Sequence, residues 1–163
     1  MSPDTASPDV VGDAASTITP GRAHRSGVSD AGRVIVDPSP EFRQFWTERH
    51  LCVLVTPRRD GSPHVVPVGV TLDVEQGIAR VICSGTSQKA RNVAAGGAAG
   101  VRAVVSQVDG PRWSSLEGVA VLRTDRDSVA DAEHRYAQRY RVPRVNPRRV
   151  VVEITLDRML GMR

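Results

Sequence analysis

A chain of 163 residues, 40% hydrophobic and 25% charged, has the composition of one globular domain with a sizeable core. No stretch approaches an apolar membrane span, and the first residues show no basic start followed by an apolar run, so neither a membrane protein nor a secreted one is expected. The net charge is +4 with two Phe, two Tyr and two Trp; so few stacking platforms argue against nucleic acid as the partner.

Residues 1–37 are rich in Ser, Pro, Gly, Ala and Asp and lack apolar periodicity, which predicts a disordered tail. Within it, Val34-Ile35-Val36 is a short apolar patch that could dock on the body. The tail holds five acids and three arginines, leaving +6 on residues 38–163. A basic body suits an anionic partner: nucleic acid, a phosphorylated cofactor or a carboxylate-bearing substrate.

The ordered domain is expected over 38–163. Ser39-Pro40-Glu41 combines an N-cap, a proline at the first helical position and an acid in the first turn. The helix it starts places Phe42, Phe45 and Trp46 on one face and ends near Arg49. LCVLVTP then reads as a strand, Asp60-Gly61 as a turn, and SPHVVPVGVTLD as a second strand. Pro63 and Pro67 cannot donate ladder hydrogen bonds and make that strand an edge or a bulged one. Gly69 there allows close approach of a ligand or another backbone, or marks a bulge.

IARVICS is a third strand, followed by a helix from Ser87 to about Ala95 closed by Gly96-Gly97. AGVRAVVSQV and WSSLEGVAVLRTD flank the Asp109-Gly110-Pro111 break as strands four and five. Asp125 or Asp127 caps a helix through Tyr140 whose apolar face carries Val129, Ala132, Tyr136 and Tyr140. Its other face, with Asp131, His134, Arg135 and Arg139, is expected in solvent. RRVVVEITLDRMLG closes the pattern as a sixth strand. Hairpin-length turns between strands predict a mainly β, α+β domain: a six-stranded antiparallel barrel with helices across its openings.

Chemistry concentrates at VICSGTSQKARN, residues 81–92. No carboxylate occurs between Glu75 and Asp109, although a helix start favours Asp or Glu. Free backbone N–H groups, hydroxyls and the cations Lys89 and Arg91 suit a bound phosphate; the alternative is that both cations point into solvent. Lys89 is the single lysine among 22 basic residues. Cys52 and Cys83 lie in apolar runs and read as buried thiols of a reducing, cytoplasmic compartment. The four histidines form no cluster with them at metal-ligand spacing, so no metal is expected. His64 could face a pocket or sit half-exposed on its strand. Arg112-Trp113 could cover a flat ring, or Trp113 could be a core residue at the barrel rim. Arg141, Arg144, Arg148 and Arg149, interleaved with Pro143 and Pro147, make a rigid basic loop. No residue presents itself as a catalytic acid or base, so an enzyme with this inventory relies on its cofactor.

SGTSQKARNV resembles the phosphate-binding turn of the pyridoxamine 5′-phosphate oxidase-like split β-barrel superfamily, with Ser87-Gln88-Lys89 where flavin-binding members place Ser-Arg-Lys. TERHLCVLVT, SPHVVPVG, IARVI, SQKA, SQVDGPRWSSLEG, DAEHRYAQRYRVPRVNPRRVV and RMLG together resemble the biliverdin-reducing branch that uses coenzyme F420, over roughly Thr47 to Gly161. The resemblance implies a split barrel and a homodimer with two cofactor sites at the subunit interface. It implies a cofactor phosphate near Ser87, Gln88, Lys89 and Asn92, a deazaflavin lined by Pro67, Val68 and Ser84, and Trp113 against the cofactor ring or chain. The implied reaction is hydride transfer from reduced coenzyme F420 to the central methine bridge of biliverdin, giving bilirubin. Arg144, Arg148 and Arg149 are then candidates for the substrate propionates. The alternatives are an FMN-dependent oxidase or reductase of the same fold, or a non-catalytic protein that binds coenzyme F420, haem or a tetrapyrrole.

Overall fold

The computed structural model describes residues 38–162; the expected tail over 1–37, with its Val34–Val36 patch, lies outside them. Helix α1 spans Pro40–Thr47, capped by Ser39, whose Oγ accepts from the Phe42 N–H at 3.1 Å. The strands are β1 (Cys52–Pro57), β2 (Pro63–Val68), β3 (Thr71–Asp73), β4 (Ile78–Ser84), β5 (Val101–Asp109), β6 (Arg112–Arg123) and β7 (Arg149–Gly161). Helix α2 (Gln88–Ala94) follows β4, and α3 (Arg126–Arg139), capped by Asp125, follows β6.

All neighbouring strands are antiparallel, in the order β2-β1-β5-β6-β7-β4-β3. The sheet thus has seven strands rather than six, because the expected second strand breaks at Gly69-Val70. Its halves become the two outer strands of one sheet, only two residues apart in the chain, so the sheet must roll until its edges meet. Proline-bearing β2 is an edge strand, as its missing donors require.

The corner where the edges meet is held by α3. Val70 pairs with no strand there; its N–H donates to the Tyr140 hydroxyl at 3.0 Å, and its carbonyl accepts from Arg139 Nη1 at 2.7 Å. Arg139 also donates to the Glu48 carbonyl from Nε and Nη2 and to Gln107 Oε1, and lies over the Trp46 and Tyr140 rings. The face expected in solvent is therefore partly a docking face. Arg135 bonds Asp73 and Asp131, and Arg80, buried among Asp73, Asp131 and Glu153, ties α3 to β3, β4 and β7.

Inside the roll, Phe42, Phe45 and Trp46 of α1 pack with Leu54, Val81, Val93, Val105, Leu116, Ile154 and Leu156. Near the middle of β6 the ladder to β7 shifts register between Glu117 and Gly118. A Cβ on Gly118 would stand 2.0 Å from the Thr155 carbonyl oxygen, so the bulge needs glycine. Cys52 and Cys83 are free and buried, and no helix among the described residues is long and apolar enough to cross a membrane.

Candidate functional site

Beyond β4 the chain turns through Gly85 and Thr86 into α2. Ser87 caps that helix, its Oγ accepting from the Ala90 N–H at 3.4 Å. The turn is locked from several sides: the Ser87 N–H donates to Ser84 O at 2.9 Å and the Gly85 N–H to Arg148 O at 2.8 Å. The Ser84 and Thr86 hydroxyls bond each other at 3.0 Å, and Arg91 Nη1 donates to Thr86 O at 2.8 Å. Arg91 therefore holds the turn's shape. Lys89 is half-buried and makes no ion pair among the described residues.

An open cleft of about 450 Å³ borders this turn. Ser84, Ser87 and Lys89 form one wall and Pro67, Val68 and Gly69, at the end of β2, another. The third comes from Tyr136 of α3, from Arg141 and Arg144 on the loop after it, and from Arg149 at the start of β7. Four cations line the cleft and no carboxylate does. Arg149 is already engaged, donating to Glu133 Oε1 at 2.9 Å and to Arg144 O at 2.6 Å. Lys89, Arg141 and Arg144 remain to meet an anion.

Of the expected site residues, Pro67, Val68, Ser84, Ser87, Lys89, Arg144 and Arg149 come together at this cleft. Gln88 and Asn92 do not line it. Asn92 is buried, with Nδ2 donating to Thr56 Oγ1 at 3.0 Å while Oδ1 accepts from Gln88 Nε2 at 2.7 Å. Gln88 Oε1 accepts in turn from Arg91 at 3.0 Å. Asn92 thus fastens α2 to β1, and Gln88 spends its bonds within α2. The Arg148 side chain is exposed and outside the cleft.

Trp113 is 45% exposed, not a core residue, and lies at the far end of the sheet. Ser84 pairs with Arg149 at one end of β7, whereas Ser114 pairs with Gly161 at the other. The length of β7 thus separates Trp113 from the Ser84 wall, while across the sheet Ser114 pairs with Gln107, which meets Cys52, the partner of Val68. Arg112 covers no open surface either: it donates to both Glu48 oxygens, at 3.2 and 2.9 Å, and to Asp109, and lies over the Phe45 ring. Glu48, His50 and Asp109 bring ligand atoms within 4.8 Å of one another, but the Arg112 guanidinium bridges the two carboxylates.

Two cleft residues lie outside the expected site residues. Tyr136 lies on the apolar face of its helix, as the spacing predicts, and that face ends at the cleft. Its ring stacks on Tyr140 at 4.8 Å and passes so close to Gly69 that a Cβ there would stand 2.6 Å from Tyr136 Cε2. The close approach that Gly69 permits is thus that of a tyrosine ring. Arg141 was one member of a basic loop, with nothing local to separate it from Arg148. His64 faces inward opposite Thr56, half-buried, with Nδ1 enclosed and unpartnered. Burial, then Arg58 and Lys89, holds its pKa below the usual histidine value.

A family model described as pyridoxamine 5′-phosphate oxidase matches residues 38–163. The F420H(2)-dependent biliverdin reductase of Mycobacterium tuberculosis (strain CDC 1551 / Oshkosh) is 59% identical over 123 residues, covering 76% of this chain and 87% of that protein. Among solved structures, one titled F420 Reductase aligns with a TM-score of 0.58 and 20% identity, covering 72% of this chain and 94% of the other. A conserved hypothetical protein of Mycobacterium tuberculosis aligns with a TM-score of 0.62 and 23% identity, covering 77% and 84%. These two likenesses speak for the fold.

Proposed function

Because the chain belongs to the pyridoxamine 5′-phosphate oxidase family, we propose that the cationic cleft is the cofactor site of an oxidoreductase that uses coenzyme F420 to reduce biliverdin. The observation that carries the assignment of the site is its charge: Lys89, Arg141, Arg144 and Arg149 line it without one carboxylate. Close identity to a biliverdin reductase supports the cofactor and the substrate.

The residues present fit an anionic, flat cofactor. Lys89 and the Ser84 and Ser87 hydroxyls would hold its phosphate, and Pro67 and Val68 offer an apolar edge for the ring. When bound, reduced coenzyme F420 supplies a hydride. The chain contributes binding, orientation and electrostatics. Arg144 and the newly placed Arg141 are suited to a substrate's propionates, while Arg149 keeps their loop in place.

A homodimer, part of this proposal, would allow one further assignment. Trp113 does not line the cleft of its own chain, and a second copy packed against the cleft would bring its own Trp113 to the cofactor. Spectroscopic titration with oxidised coenzyme F420 and with FMN tests the cofactor, and bilirubin formation from biliverdin with the reduced cofactor tests the reaction. Saturable F420 binding with turnover is expected. Tight FMN binding without response to F420 would overturn the cofactor assignment, and F420 binding without turnover would reduce the chain to a carrier.

A further inference from the structure

Reducing a conjugated tetrapyrrole requires a proton as well as a hydride, and the cleft offers one well-placed donor. Tyr136 lines it beside Pro67, Val68 and Gly69, the end where the flat ring is assigned. The ring is held on two sides, by the stack with Tyr140 and by the glycine that makes room for its edge. Its hydroxyl has no hydrogen-bond partner among the described residues, unlike that of Tyr140, which donates to the His50 carbonyl at 2.8 Å and accepts from Val70. Burial moves the Tyr140 phenol up to about 12, so that hydroxyl stays a structural tie. No carboxylate or imidazole lines the cleft to take the role instead.

We propose that the Tyr136 hydroxyl is the proton donor to the substrate in the reduction assigned above, an inference that rests on that assignment. The hydride forms a new C–H bond at the methine carbon, and the displaced π electron pair moves to a pyrrole-type nitrogen. There the Tyr136 O–H bond breaks as the N–H bond forms. The tyrosinate regains its proton from water through the open cleft, balanced by the second proton that reduced coenzyme F420 would give up to solvent. Two electrons and two protons are thus accounted for. Arg141 and Arg144 on the same cleft ease the transient negative charge on the phenolate.

Tyr136→Phe keeps the ring, its stack and its fit against Gly69 and removes only the donor. Its coenzyme F420 dissociation constant and its KM for biliverdin should stay within about twofold of the parent, while kcat falls about a hundredfold, the ordinary range for loss of a general acid. Added imidazolium buffer should restore part of the lost rate in proportion to its concentration, a rescue that a purely structural defect would not show. Single-turnover hydride transfer, followed at the deazaflavin absorbance, should slow by the same factor. A Tyr136→Phe enzyme with kcat within about threefold of the parent overturns the proposal, and so does a slow variant that buffer acids cannot rescue. If the parent chain neither binds the cofactor nor forms bilirubin, the underlying assignment fails instead.

Discussion

Lys89 is defined as much by the absence of acids around it as by its own charge. The 33-residue carboxylate-free stretch around it is visible in the sequence, and the cleft adds no acid from elsewhere. Replacing Lys89 with Ala should weaken coenzyme F420 binding about ten- to a hundredfold, the equivalent of losing one charge-assisted bond of about 1.5–3 kcal/mol. Equilibrium titration of the folded variant reads this directly, and an unchanged dissociation constant would remove Lys89 from the site. Glu48 belongs to a different problem, the docking of α1. Arg112, and after it His50, hold its carboxyl near a pKa of about 2, against 4.5 for a free glutamate. Stabilisation from a depressed carboxylate is complete above the unfolded value and is lost as pH falls from about 4.5 towards 2. Urea midpoints should therefore drop through that window, and Arg112→Gln should flatten the drop.

At the scale of elements, α3 is the one whose role the sequence understates. Its apolar face is short, and only Ala132 is buried on it. What fastens it is polar: Arg139 and Tyr140 satisfy the backbone of Val70 at the break between β2 and β3. Losing Arg139 strands the Val70 carbonyl and leaves the Glu48 carbonyl with only the His50 N–H and the Gln107 amide oxygen with only the Cys52 thiol. Arg139→Ala should cost about 3 kcal/mol or more in urea unfolding, and Arg139→Lys should recover only part, since one ammonium cannot span the three acceptors. Full recovery by lysine would show that charge alone matters there. Because α3 also carries Tyr136 to the cleft, the Ala variant should lose catalytic rate before it loses its fold.

At the scale of the whole molecule, the separation of Trp113 from Lys89 becomes a test of assembly. Trp113→Ala and Lys89→Ala should each weaken cofactor binding if two copies share each site. Mixing and re-equilibrating the two variants at equal amounts should then restore about a quarter of the sites, since half the dimers are hybrids and each holds one intact site. No restoration, with light scattering showing dimers, would place Trp113 outside the cofactor site.

The local elements were legible because their signals are local. Ser39-Pro40, Ser87 and Asp125 cap the three helices as side-chain chemistry demands, and the strand patterns stand where apolar runs and turn residues place them. The cationic turn was legible too, as a stretch without acids. What only the tertiary structure decided is how residues far apart in the chain share bonds. Asn92 and Gln88 have the right polarity for a ligand, yet Asn92 bonds Thr56 and Gln88, because a buried amide must find its partners within the protein. The second strand had to break, since no one-dimensional pattern records that a sheet has rolled far enough for both halves of a strand to become edges. Tyr136 and Arg141 joined the cleft for the same reason: packing of α3 over that break, not any periodicity of its own, turns them towards the cationic turn.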